Sequence, residues 1–397
     1  MRPRTRCPVR EGGMTTATLA AHRKAGPGPR LGWLLPAGFA LLAGLDAGLV
    51  LLGLPAPVNS GRLAEVHGVL LVLGFVGTVI ALERATALDR WYGYAAPLLL
   101  GAGGVLLVLA PVPLTLAKVV VASGMAAFTL LYVPLWRRQH DHVQLTELLA
   151  TAFGLAGAIL WIGRVEMLHV LPWLIGFVVF TIAAERVELA RITMGAGAGV
   201  RLLAHAVAFG LALLIGTGLP DLGAVLTGLV LCSLVAWLVI HDVARRTIRL
   251  TGVTRYAAAC ILAGYVWLSL AALLLLLGAP TRQPVYDAIV HSVFLGYTIS
   301  MILAHAPTIL PAVLHVRMKY RPVFWVPAIT LQLALIVRIW FGDGLGHPLA
   351  WQIGGAGGVL AILLFLLVAV GSSLPGRSRS RTGAAAATDR RTESSVS

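Results

Sequence analysis

Apolar runs long enough to cross a bilayer recur twelve times along this chain, and nothing else in the sequence restricts its fold as strongly. They lie near residues 31–54, 64–83, 93–111, 115–135, 144–163, 168–186, 200–219, 222–240, 256–278, 287–310, 322–341 and 350–371. A hydrocarbon core of about 30 Å takes about 20 residues of α-helix at about 1.5 Å each. Backbone polar groups in lipid must bond within their own segment, so such runs become helices. Hydrophobic residues make up 58% of the 397 residues and charged ones 12%, with a mean hydropathy of +0.88. A water-soluble fold of this length could not bury that much apolar surface. The sequence therefore predicts an all-α polytopic membrane protein with twelve transmembrane helices. A basic, disordered tail is expected over 1–28, the membrane domain over 29–371 and a second disordered tail over 372–397. The first run starts too late and runs too long for a signal peptide, so it reads as a retained helix.

The net charge of +15 would suggest nucleic acid if it were gathered on a soluble face. Its distribution points elsewhere. With both termini inside, 26 of the 31 basic residues fall on the inner side. Only Arg62, Lys118, Arg164, Arg282 and Arg338 fall outside. This is the positive-inside pattern of a cytoplasmic membrane protein, and it makes the lipid bilayer, not nucleic acid, the expected partner. The three cysteines are far apart and form neither a haem-attachment nor a zinc motif. No phosphate-binding loop, dinucleotide fingerprint or nucleophile elbow occurs.

Residues 65–85 read EVHGVLLVLGFVGTVIALERA, and the pattern returns at 164–187 as RVEMLHVLPWLIGFVVFTIAAERV. Adding 102 maps Arg62 on Arg164, His67 on His169, Gly74-Phe75-Val76 on Gly176-Phe177-Val178 and Glu83-Arg84 on Glu185-Arg186 without a gap. Four helices later comes YDAIVHSVFLGYTISMILAHAPTILP, with His291 again one turn inside the outer face. The expected architecture is three units of four helices, each carrying an outer-side histidine on its second helix.

Ionisable residues at membrane depth are costly unless paired or coordinating, so each is a functional candidate. His67, His169 and His291 form an expected outer layer; His205 and His305 form an inner one. His291 and His305 are 14 residues apart, so they share a helix face at about 21 Å. Neutral imidazole ligates haem and transition metals. This makes His67, His291, His205 and His305 candidate haem ligands, and His67, His291 and His169 candidate metal ligands. His315 reads as a loop residue. Arg338 is the leading candidate to meet haem propionates, with Arg62, Arg164 and Lys118 behind it. Asp46, Thr298, Glu83 and Glu185 are candidate proton-relay groups. The Glu83-Arg84 and Glu185-Arg186 pairs, with Glu147, equally suit a structural lock at the inner boundary.

The HGVLLVLGFVGT and HSVFLGYTISMILAHAP segments and the twelve-helix plan resemble the NnrS family, bacterial membrane proteins that are themselves similar to haem-copper oxidase subunit I. The resemblance implies haem b, with copper a further cofactor of that architecture, and His67 and His291 as ligands of one haem. It further implies a gas or other small-molecule ligand and a role in nitric oxide or nitrosative-stress response, or electron transfer within the membrane. The oxidase copper-site histidine pair and the His-x-His spacing of helix ten are missing, which argues against terminal oxidase activity and against copper. Two rivals follow from the residues alone. One is a proton-coupled secondary transporter using the intramembrane histidines and Asp46; the other is a haem-free scaffold.

Overall fold

The computed structural model describes residues 29–314 and 320–373, and it contains no strand among them. Twelve helices are long and apolar enough to cross a membrane. They are α1 (Gly32–Leu51), α2 (Gly61–Leu88), α3 (Trp91–Val108), α4 (Leu114–Gln139), α5 (His142–Ile162), α6 (Met167–Leu189), α7 (Ala198–Gly218), α8 (Pro220–His241), α9 (Gly252–Leu275), α10 (Gln283–Thr308), α11 (Pro322–Gly344) and α12 (Pro348–Ser373). The protein is a multi-pass membrane protein. Large side chains such as Leu35, Leu130, Leu214 and Leu367 stand exposed around the bundle, as a lipid-facing surface requires. The last helix runs two residues past the expected boundary at 371. The rest of the two expected tails, and His315, lie outside the described residues.

Short connections make each helix pack on its predecessor, and a common plan recurs three times. In α1–α4, α5–α8 and α9–α12 alike, the first helix of the unit packs on the second and third, the second on the third, and the third on the fourth. α12 returns to α1, and α6 touches α10. The second helix of each unit is drawn inward. The most apolar window of α6 is 72% buried, that of α10 is 67% and that of α2 is 56%, the last matched by α9.

Two of these three helices also depart from α geometry at or just after their histidines. α2 is π-helical over Leu70–Gly77 and α10 over His291–Tyr297. In α6 the position equivalent to Leu70 is Pro172, which lacks the N–H for the same ladder. Thr298 donates to the Val293 carbonyl at 2.9 Å, five residues back, and so closes the wider turn in α10. π-turns cluster at functional sites because they re-aim side chains within an otherwise regular helix.

Candidate functional site

One site, called the outer site because the charge distribution predicts that its end of the bundle faces outward, is built by α1, α2, α10, α11 and α12. His67 donates from Nδ1 to the Gly44 carbonyl of α1 at 2.9 Å. A Cβ at Gly48 would stand 3.3 Å from the ring's Cε1, so small residues on α1 make room for the imidazole. His291 donates from Nδ1 to the carbonyl of Asp287, one turn earlier, at 2.9 Å, with the Asp287 carboxylate 3.3 Å away. Both carbonyls can only accept, which fixes each imidazole with its proton on Nδ1 when neutral. Nε2 of each ring makes no hydrogen bond among the described residues. His291, Arg338 and Asp287 all lie within electrostatic reach of His67. α2 and α10 make no extended backbone contact, so the two histidines approach from helices that are not packed together.

Asp287 organises the rest. Arg338 of α11 grips it with Nε and Nη2, both at 3.0 Å, and Trp351 of α12 donates to it at 3.2 Å. The guanidinium also lies over the Trp351 ring, 4.7 Å from its centroid. Gly354 and Gly355 permit this, since a Cβ at 354 would fall 2.6 Å from the Arg338 Cα and one at 355 would meet the guanidinium and Leu52. Sequence reasoning offered Arg338 to haem propionates. Its fork instead closes on Asp287, a residue that carried no role in that reading.

The inner site joins α6, α9 and α10 to the loop after α8. Arg186 donates to both Asp242 oxygens, at 3.0 and 2.7 Å, with the two side chains 5% and 0% exposed. Tyr265 donates to the same carboxylate at 2.6 Å, as does the Ala244 amide at 2.8 Å. Burial alone would raise the Asp242 carboxyl, but the Arg186 fork and the Tyr265 hydroxyl outweigh it and hold it below its ordinary value. Arg186 spends its third nitrogen on His305 Nε2 at 3.1 Å, and His305 donates from Nδ1 to the Met301 carbonyl at 2.7 Å. Both ring nitrogens of His305 are therefore engaged. Beside this group, Arg84 lies 2.9 Å from Glu147 and 3.3 Å from Glu188. The two Glu-Arg pairs of the repeat thus end at neighbouring inner locks.

The family model of a domain of unknown function, DUF8744, matches residues 30–374. The chain belongs to the DUF8744 family. Its match takes in all twelve helices and both sites. No curated protein and no solved structure matches the chain.

Other positions singled out from sequence fall elsewhere in this DUF8744 fold. His205 does not join His305 as a second ligand pair: its Nδ1 bonds the Arg201 carbonyl at 2.7 Å, its Nε2 bonds Ser233 of α8 at 3.1 Å, and the ring stacks on Trp237. His169 does not join His67 and His291. It is exposed to a largely apolar cavity of about 440 Å³ lined mainly by α6, α7 and α8, with Pro172, Trp173, Thr217 and Thr281 among its walls. Among the described residues no three His, Cys, Asp or Glu side chains converge with metal-holding geometry. Asp46 lies near the outer-site end of α1 too, between Gly44 and Gly48, but the Val58 amide donates to both its oxygens at 3.3 and 3.2 Å, so it serves as a loop anchor. Thr298 spends its hydroxyl on the π-turn. Arg62 caps the end of α3 through the carbonyls of Leu106, Leu107, Ala110 and Val112, and Lys118 bonds the Trp161 carbonyl and covers its ring. Neither is left for a propionate. Gly74 and Gly296 bring α2 against α1 and α3, and α10 against Trp267, while Gly68 is exposed at the bundle surface.

Proposed function

We propose that His67 and His291 would together hold a haem b in the outer half of the bundle, and that the protein transfers electrons within the membrane. One observation carries the reading: two partly buried imidazoles on separate helices, each anchored through Nδ1 to a carbonyl, each leaving Nε2 without a partner. Metal-ligating histidines are held in this way, because the second-sphere bond fixes the ring and raises its basicity. α2 and α10 make little close backbone contact, as two helices holding one group between them would. When bound, haem supplies reversible one-electron chemistry. With both His67 and His291 committed to holding the group, the arrangement favours electron transfer over a gas-binding role. Copper is not part of the proposal, since no third ligand joins the pair.

The visible spectrum of the purified full-length protein tests this. A low-spin haem spectrum is expected, abolished by either His67→Ala or His291→Ala and retained in His305→Ala. A protein without a Soret band, or with a spectrum that both outer variants leave unchanged, would overturn the assignment.

The same reading places both termini on the cytoplasmic side of a bacterial inner membrane. Its support is the 26-to-5 division of basic residues and the even number of spans. A reporter fused to the C-terminus should work in the cytoplasm; one active only in the periplasm would reverse the topology.

A further inference from the structure

We infer that Glu83 and Glu185 form a proton-binding site at the inner ends of α2 and α6, holding one proton between them. The inference is independent of the haem assignment and concerns the opposite end of the bundle.

Charge balance is the first argument. Four glutamates gather here: Glu83 and Glu185, at equivalent positions of the repeat, with Glu147 and Glu188. The nearby cations have other partners. Arg186 is closed on Asp242, and Arg84 meets Glu147 and Glu188 through its two terminal nitrogens, with its Nε buried and unpartnered. His305, also within reach of Glu83, has both ring nitrogens occupied and accepts a hydrogen bond from Arg186 at Nε2. That leaves Glu83 and Glu185 with no ion pair among the described residues. Arg84, beside Glu83, reaches Glu188, one turn from Glu185, at 3.3 Å, so the two helix ends meet here. With Asp242, five carboxylates stand against the two guanidinium groups of Arg84 and Arg186, and this excess of negative charge at the membrane boundary favours a proton on the two glutamates that have no ion pair.

Orphaned polar atoms are the second argument. Glu185 Oε1 is buried without a hydrogen-bond partner, which suits a carboxyl that shares or exchanges a proton. The Tyr132 hydroxyl of α4 is fully buried and also lacks a partner. It faces this cluster, with Glu147, Arg84, Glu83 and Glu188 all in reach. A hydroxyl can both donate and accept, so Tyr132 can stabilise either charge state of the group. A metal ion fits less well, because no three acidic or histidine side chains converge with metal-holding geometry among the described residues. A proton needs only two oxygens. Uptake then adds H⁺ from the inner aqueous phase to the pair, converting two carboxylates into one carboxylate and one carboxylic acid, with no other reactant.

Infrared spectroscopy of the full-length protein in lipid vesicles reads this directly. At neutral pH the wild type should show a protonated-carboxyl C=O band that moves to lower frequency in D2O. Glu83→Gln and Glu185→Gln should each shift the band, and the double variant should remove it, while Glu65→Gln at the exposed outer end of α2 should leave it intact. Absence of the band in wild type, or its survival unchanged in the double variant, would overturn the inference. If the double variant does not fold, the single variants decide, since each keeps a hydrogen-bonding amide. A band that neither of them alters would count against the site.

Discussion

Arg186→Ala is expected to destabilise the protein by about 3–5 kcal/mol, as the breaking of buried ion pairs does. The guanidinium holds Asp242 with two hydrogen bonds and His305 with a third, and its side chain is 5% exposed. Its loss leaves a fully buried carboxylate supported only by Tyr265 and the Ala244 amide, and a His305 nitrogen with no donor. Lysine should rescue little, because it cannot reproduce the planar two-point grip. The thermal midpoint of detergent-solubilised protein measures the effect.

That lock also has a pH signature. The folded-state pKa of Asp242 is depressed, so its contribution is fully present above the unfolded carboxyl value of about 3.9. It is lost as pH falls through the lower folded value. Removing Arg186 reverses the sense, because the buried carboxyl left behind is better tolerated once protonated. The gap between wild type and Arg186→Ala should therefore narrow as pH is lowered. A gap that stays constant down to strongly acidic pH would show that the pair is not the source of the loss.

What could be read from sequence, and what could not, follows the range of the forces involved. Hydropathy acts over one helix, so the spans were legible to within a few residues. The ungapped repeat was legible because each unit must solve the same packing problem, and its second helix is drawn inward in all three. Partners were not legible. Asp242 stands 56 residues from Arg186, and Asp287 stands 51 from Arg338. No local pattern announces a pairing across that distance. The 14-residue spacing of His291 and His305 places both on one helical stripe, but periodicity says nothing of what stands opposite. Opposite His305 is an arginine that consumes Nε2; opposite His291 is no such donor. One signal was available and unused. His140-Asp141 and His241-Asp242 end the fourth helix of two successive units, 101 positions apart, and both aspartates meet an arginine belonging to the sixth-helix region, Arg191 and Arg186.

Asp287→Ala is expected to be the most damaging change at the outer site, again by about 3–5 kcal/mol, and to alter the proposed haem ligand as well. Three helices meet at this carboxylate: it accepts from Arg338 and Trp351 while its own backbone carbonyl and its Oδ1 face His291 Nδ1. Arg338 is 6% exposed, so its charge would be left buried, with Asp343 the remaining carboxylate near it. The His291 ring would keep its carbonyl bond but lose the adjacent negative charge. Second-sphere losses of this kind weaken metal binding by about 10–100-fold. Two readouts separate the roles. The double variant Asp287→Asn, Arg338→Met should regain much of the stability, because an apolar side chain removes the buried cation. It should not regain the ligand strength of His291, since the carboxylate is still missing. Equal recovery of thermal midpoint and haem retention would show that Asp287 acts only as a structural clasp. An Arg338→Met single variant as stable as wild type would show that the clasp itself is unimportant.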